Sequence, residues 1–155
     1  MTTSEITIHT DGSCIGNPGK GGCAAIVRRY EDEIEIKKRR VANSAAETTN
    51  NRMEMEAALN GLKQIKRDEK ARITVYSDSQ YLINGMTKWL PSWQQRGWRG
   101  ASGKSVKNCD LWQALMTVCE GLDVRWVWVR GHDGDERNEE ADRLASAMAR
   151  DASTL

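Results

Sequence analysis

Histidine is almost missing from this chain: His9 and His132 are the two in 155 residues. That scarcity leaves little for a histidine-built metal centre, and no Ser-His-Asp pattern for nucleophilic catalysis is evident. Cysteine is sparse as well. Cys14, Cys23, Cys109 and Cys119 include no C-x-x-C pair, so a structural zinc is not expected, and the four read as free, non-catalytic thiols, several of them in the core. No apolar run approaches the roughly 20 residues needed to span a bilayer, so no membrane partner is expected. The segment Met1-Thr2-Thr3-Ser4-Glu5 lacks the basic and apolar regions of a secretory signal, which makes a cytoplasmic location the expectation. Neither sign of charge dominates: 23 basic residues face 22 acidic ones. A polyanionic partner would therefore need positive charge clustered locally. Linkers and low-complexity tracts are absent too, so residues 1–155 are expected to form one domain with one core.

What is present reads as an alternation of strands and helices. Ile6, Ile8 and Thr10 alternate with Thr7 and His9, a strand that is expected to end at Asp11-Gly12. Turn residues crowd the stretch 16–22, which reads as a loop. Cys23 to Arg29 and Glu33 to Val41 follow as an antiparallel hairpin around Tyr30-Glu31-Asp32, the second strand with one face in water. Behind the capping candidates Thr48 to Asn51, Met55, Ala58, Leu59, Leu62 and Ile65 recur at helical spacing. Ile73 to Ser77 is a fourth strand, and Asp78-Ser79 caps a helix through Met86. A short helix holds Trp89 and Trp93, with Pro91 in its first turn. The basic stretch 96–108 reads as a loop, 110–120 as a helix, 124–129 as a fifth strand, and 138–150 as a last helix. Such an order implies one mixed α/β sheet with helices on its faces.

Two strands end alike. "ITIHTDGS" from Ile6 and "ITVYSDSQ" from Ile73 agree in kind through an aspartate, Asp11 in one and Asp78 in the other. Were these strands parallel neighbours, about 4.8 Å apart, both acids would face each other outside the carboxyl ends of the sheet, where α/β folds bind ligands. Carboxylates that close repel unless a cation intervenes, and Mg²⁺ suits such a site. Taken singly, either acid is ordinary turn or cap chemistry, and the local similarity alone leaves both readings open.

The chain also contains, in order, "TDGSCIGNPGKGG", "TTNNRMEMEAAL", "YSDSQYLINGM", "SWQQRGW", "VKNCDLW" and "VRGHDGDERNEEADRLA". From about Thr10 to Ala145 this succession resembles the signature segments of the type 1 ribonuclease H family, bacterial branch. The resemblance implies the ribonuclease H-like fold, a five-stranded sheet in spatial order 3-2-1-4-5 with strand two antiparallel. It implies an endonuclease that cuts the RNA strand of RNA–DNA hybrids.

By resemblance, four carboxylates act: Asp11, Glu54, Asp78 and Asp142. They would hold two Mg²⁺ ions ~3.5–4 Å apart, with Mn²⁺ a substitute, and leave a 5′-phosphate and a 3′-hydroxyl. Glu54 is expected in the first turn of its helix, where complementing the helix dipole would be the ordinary explanation. Its neighbour Glu56, about 200° away around the helix, reads as solvated. Asp142 lies within a charge run that composition alone would assign to a solvated face. His132, in a glycine-flanked loop, matches the family's mobile histidine, whose imidazole suits proton transfer near neutrality. His9 reads as merely packed.

Substrate contacts follow by the same resemblance. Cys14, Asn17, Thr49, Asn50, Asn51 and Gln80 match positions around the minor groove, where short polar groups can engage 2′-hydroxyls. For the Asn pair, helix capping is a compatible second role. Trp89, Trp93, Arg96 and Trp98, with Arg99, Lys104 and Lys107, correspond to a basic protrusion at about 88–107. There the tryptophans, Trp89 first among them, could simply pack a small core. Gln94-Gln95 stands where many members carry lysines, which predicts weaker binding with a shallower salt dependence. Lys20 and the run Lys37 to Arg40 are candidates to offset that. No obligate protein partner is evident, and a monomer is the default. Rival readings are a non-cleaving hybrid-binding module, another nuclease such as an integrase or junction resolvase, and a structural acidic cluster. The first predicts loss of an acid, the second loss of "NNRMEMEAA" and the protrusion, and the third no affinity for hybrids.

Overall fold

A computed structural model describes residues 3–131 and 135–152. Its five strands are β1 (Ser4–Ile15), β2 (Gly19–Glu31), β3 (Ile34–Thr48), β4 (Arg72–Ser77) and β5 (Asp123–Trp128). They form one sheet in the order β3-β2-β1-β4-β5, with β2 antiparallel to its neighbours and β4 and β5 parallel to β1. This is the order and the sense that the motifs imply. The helices are α1 (Asn50–Leu62), α2 (Gln80–Asn84), α3 (Leu90–Gln95), α4 (Cys109–Cys119) and α5 (Glu136–Asp151). None of the described helices is long and apolar enough to cross a membrane.

On one face of the sheet, Ile6, Ile8, Ile73 and Val75 meet α1 and α4. Helix α1 contributes Met55, Ala58, Leu59 and Leu62, and α4 contributes Leu111, Trp112 and Leu115. The helical spacing read for α1 thus marks its buried stripe. The other face is built differently. Helix α5 buries Ala141, Ala145 and Ala149, four residues apart, so side chains no larger than methyl let it lie close on β1 and β2. That close approach brings the first half of α5 to the end of β1 where Asp11 sits.

Several boundaries differ from the sequence reading. Strand β1 does not stop at Asp11-Gly12 but runs on to Ile15, because its antiparallel pairing with β2 outlasts its parallel pairing with β4, which reaches His9 opposite Tyr76. The glycines from Gly19 onward are part of β2, so the loop shrinks to 16–18. Strand β3 continues to Thr48, and its outer half is wet on both faces: Ile34 is 68% and Ile36 55% exposed. It is an edge strand, and its alternation is not matched there by a covering layer. The hairpin turn is Asp32-Glu33, both residues in the left-handed region with φ of 49° and 70°, the pattern of a two-residue type I′ turn. Gln80 to Gln95 forms one continuous helical run, with a π-helical stretch, Gly85–Trp89, joining α2 to α3. Pro91 occupies the start of α3, as its chemistry requires. All four cysteines are free thiols, yet only Cys23 is buried.

Candidate active site

Each acid reaches the site by a separate element. Asp11 lies on β1 just past the last parallel pair with β4, and Asp78 follows the end of β4 by one residue. The matching strand ends are therefore neighbours in space. Glu54 comes from α1, whose N-cap Thr49 accepts from the Arg52 N–H through Oγ1 at 3.3 Å. It stands in the second turn of α1 rather than the first, which weakens the dipole explanation for an acid there. Carboxylate oxygens of Asp11, Glu54 and Asp78 all lie within 4.8 Å of one another. Asp142, on α5, comes close enough to Asp11 to push its carboxyl upward. Together with Thr10, Asn138, Glu139, Val129, Arg130 and Gly131, the three aspartates line one cleft.

The electrostatics of this group is unfavourable as it stands. Asp11 is 8% exposed and Glu54 5%. Burial, then the Asp142 hydrogen bond and the Asp78 charge, push the Asp11 carboxyl up to about 8. Burial first and the Asp11 charge second hold Glu54 well above the ordinary carboxylate range. The Gly12 N–H works against both shifts without cancelling them. Glu54 Oε1 and Asp78 Oδ1 are buried and have no hydrogen-bond donor among the described residues. Acceptor atoms left bare among like charges call for a cation. The donor set, hard carboxylate oxygens alone, fits Mg²⁺ or Mn²⁺.

Around the acids, the polar residues singled out from the sequence gather at the start of α1. Asn17 Oδ1 accepts from the Asn50 N–H at 3.0 Å, tying the 16–18 turn to the helix. Asn50 and Asn51 are exposed in the first turn, and Gln80 is exposed at the start of α2. Cys14 is half-buried, its sulfur 3.4 Å from the Thr48 carbonyl oxygen. Glu56 is half-buried rather than solvated, and burial raises its carboxyl. His9 is packed as expected, stacked on Tyr76 with ring centroids 4.5 Å apart. Its imidazole is lowered to about 4, chiefly by burial and next by Arg28. His132 lies outside the described residues.

Farther out, the aromatic segment stacks in series. Trp89 meets Tyr81 and Trp93, and Trp93 meets the buried Trp112 at 5.3 Å between centroids. Trp93 and Trp98 pack against the main core, while Trp89 is 37% exposed. The packing role thus belongs to Trp93 more than to Trp89. Arg96 is exposed. Of the cations named to offset Gln94 and Gln95, Lys38 and Arg40 already bind Glu140, at 3.0 and 2.9 Å.

Three residues, Asn138 in the cleft and Gly12 and Trp128 beside its acids, escaped the sequence reading. Asn138 precedes Asp142 by four positions on α5, hence on the same helix face, and that spacing could have found it. Gly12 and Trp128 gave no such signal; their parts emerge only from close contacts described below.

The family model for RNase H matches residues 3–150. A ribonuclease H of Novosphingobium aromaticivorans is 49% identical over 145 residues, covering 94% of this chain and 96% of that protein. One of Ruegeria pomeroyi is 48% identical, covering 92% and 91%. Among solved structures, LC9-RNase H1, a type 1 RNase H with the type 2 active-site motif, superposes with a TM-score of 0.86 at 34% identity, over 97% of this chain and 74% of that one. With the family model spanning almost its whole length, this chain belongs to the ribonuclease H family, in its bacterial ribonuclease HI-like branch, and is a nuclease.

Proposed function

We propose that this enzyme hydrolyses the RNA strand of RNA–DNA hybrids, using two divalent ions and leaving 5′-phosphate and 3′-hydroxyl ends. The observation that carries this reading is the buried carboxylate group itself. Three acids from β1, α1 and the end of β4 converge within 4.8 Å, two of them keeping a buried oxygen without a donor among the described residues. Ions bound there would supply an activated water and neutralise the charge that develops on the leaving oxygen. Mg²⁺ is the natural occupant and Mn²⁺ a substitute.

The chain's own residues divide the remaining work. Asp11, Glu54 and Asp78 are the core ligands, and Asp142 completes the set from α5. His132 moves a proton at the reaction centre near neutral pH. Cys14, Asn17, Thr49, Asn50, Asn51 and Gln80 face the minor groove of the hybrid, where donors and acceptors on short side chains distinguish ribose from deoxyribose. Trp89, Trp93, Arg96 and Trp98 belong to a protrusion at 88–107 that clasps the DNA strand, with Trp89 and Arg96 offering the exposed contacts. The protein acts in the cytoplasm as a monomer of one domain. Support for the residue assignments is the motif match and, for Asp11, Asp78 and Asp142, the cleft that they line together.

The deciding experiment incubates a labelled hybrid with the protein in Mg²⁺ and in EDTA, beside the Asp11→Asn variant. Metal-dependent cutting confined to the RNA strand, and abolished in the variant, is the expected result. Binding without cutting by the wild type would turn the reading into a hybrid-binding module, and cutting by the variant would refute the ligand assignment.

A further inference from the structure

Asp78 stands in a gap between two hydrogen-bond ladders. Strand β4 pairs with β5 as far as Ser77 opposite Trp128, and the Val129 N–H then donates to the Ser77 carbonyl at 2.9 Å. The helical ladder of α2 begins with the Ser79 carbonyl, which accepts from Ile83 at 3.1 Å. Between them, side chains satisfy the backbone. Trp128 Nε1 donates to the Asp78 carbonyl at 3.1 Å, and Ser77 Oγ accepts from the Ser79 N–H at 3.0 Å.

Burial does not explain a tryptophan at position 128. Val124 and Trp126, which precede it at strand spacing on the same face, pack against the core, whereas Trp128 remains 41% exposed. Its distinctive group is the indole N–H, and that group is aimed at the backbone of a site carboxylate. Just beyond, Gly131 closes on the same residue: a Cβ there would lie 2.7 Å from Asp78 Oδ2. Trp128 at the end of β5 therefore holds the Asp78 carbonyl, and Gly131 three residues later leaves room for its carboxylate.

We infer that Trp128 is a positioning residue for metal binding: its N–H fixes the Asp78 peptide and so the direction in which the Asp78 carboxylate is presented. The inference rests on the metal-dependent reading given above. A peptide free to rotate at this gap would swing the carboxylate away from Asp11 and Glu54, and displacements near 1 Å are costly at reaction centres. The bond is partly exposed, so its effect on global stability is small, while outer-shell partners of metal ligands change affinity or activity by roughly 10–100-fold.

Trp128→Phe keeps an aromatic ring and removes the donor. Four quantities decide the matter: Mn²⁺ binding to the nucleic-acid-free protein by calorimetry, the Mg²⁺ dependence of hybrid cleavage, KM for hybrid at saturating metal, and Tm. Weakened Mn²⁺ binding by roughly tenfold, a half-saturating Mg²⁺ concentration raised in proportion, and little change in KM or Tm are expected. Unchanged Mn²⁺ binding overturns the inference. So does a raised KM with unchanged metal affinity, which would make Trp128 a substrate contact. Ser77→Ala releases the other tether of this segment without touching β5, and guards against a Phe variant that fails to fold. It should weaken Mn²⁺ binding in the same direction, and wild-type affinity there would also overturn the inference. A wild type that neither binds Mn²⁺ nor cuts hybrid would sink the nuclease reading itself, a distinct outcome.

Discussion

Gly12 packs directly beneath Glu54: a Cβ on Gly12 would strike the Glu54 nitrogen and lie 2.9 Å from its Cα. Strand β1 and helix α1 can touch here only because the strand carries no side chain. The contact sets the separation of Asp11 from Glu54, and the Gly12 N–H also steadies both carboxylates. Gly12→Ala should force the helix outward. The expected cost is about 1–3 kcal/mol of stability, as for an overpacked contact. Turnover should fall by about 100-fold or more, as for ligands displaced by about 1 Å. Urea denaturation and steady-state cleavage in Mg²⁺ measure the two. Wild-type turnover in the variant would show that the close approach is dispensable.

The same crowding of acids makes the metal-free protein less stable than it could be. Asp11, ordinarily near 3.8, is pushed up to about 8 in the fold, chiefly by burial. Between those values the unfolded chain has released its proton and the folded chain retains it. Stability of the metal-free protein therefore falls as pH rises through this window, and the penalty is absent below it. Asp11→Asn removes the titration. In EDTA at pH 7–8 the variant should be more stable than wild type by roughly 1–2 kcal/mol, while inactive. The difference should shrink toward pH 4 and when Mg²⁺ is added to the wild type. Equal stability of the two proteins at pH 8 in EDTA would contradict the electrostatic account.

Much of this was legible in the sequence, for identifiable reasons. The period-two pattern of β1 and β4 and the apolar stripe of α1 are local signals, and the structure follows them. Asp11 and Asp78 could be paired because strand endings alike in kind map onto neighbouring parallel strands. Glu54 and Asp142 could not be found that way. One sits on a helix with a second glutamate, Glu56, and the other in a dense charge run, so only the family motifs separated them. The boundaries of β1 and β3 were misjudged because strand length depends on the partner. Antiparallel pairing with β2 carries β1 past the residues at which its own pattern stops. Trp128 and Gly12 were invisible because their parts depend on contacts fifty and about forty positions away in the chain.

Helix α5, which carries Asp142, is tied to the sheet through Glu140 as well as through its buried alanines. Glu140 accepts from Arg28 Nη2 at 2.8 Å, Arg40 Nε at 2.9 Å and Lys38 Nζ at 3.0 Å. Arg28 is buried, and among the described residues its Nη1 lacks a partner, so its charge depends on Glu140 and on Glu35 at 3.4 Å. Burial works to raise the Glu140 carboxyl, but hydrogen bonds from Lys38 and Arg40 hold it below its ordinary range. Its contribution is therefore present above the unfolded pKa and lost as pH falls through the lower folded one. Glu140→Ala should cost about 3 kcal/mol, because it strands a buried cation. An exposed pair would contribute less than about 1 kcal/mol. A loss below that figure in urea denaturation would mean that Glu35 or water suffices for Arg28.

Under the function proposed above, positive charge on the segment 88–107 is the remaining lever on the substrate. Gln94 and Gln95 are both exposed on α3, beside the exposed Trp89 and Arg96. Two neutral amides there leave a gap in a surface that otherwise offers cations to phosphate. Gln94→Lys with Gln95→Lys should tighten hybrid binding and steepen the dependence of log affinity on log salt by about 1–2, one increment for each phosphate newly contacted. Turnover at saturating hybrid should not change, because neither residue approaches the carboxylates. Trp93→Ala is the contrasting variant. It removes the ring that packs on buried Trp112, so it should lower stability as well as binding. Affinity measured across a salt series, in catalytically inactive Asp11→Asn protein, separates these effects. An unaltered salt slope in the double lysine variant would place α3 away from the nucleic acid and remove the protrusion from the binding surface.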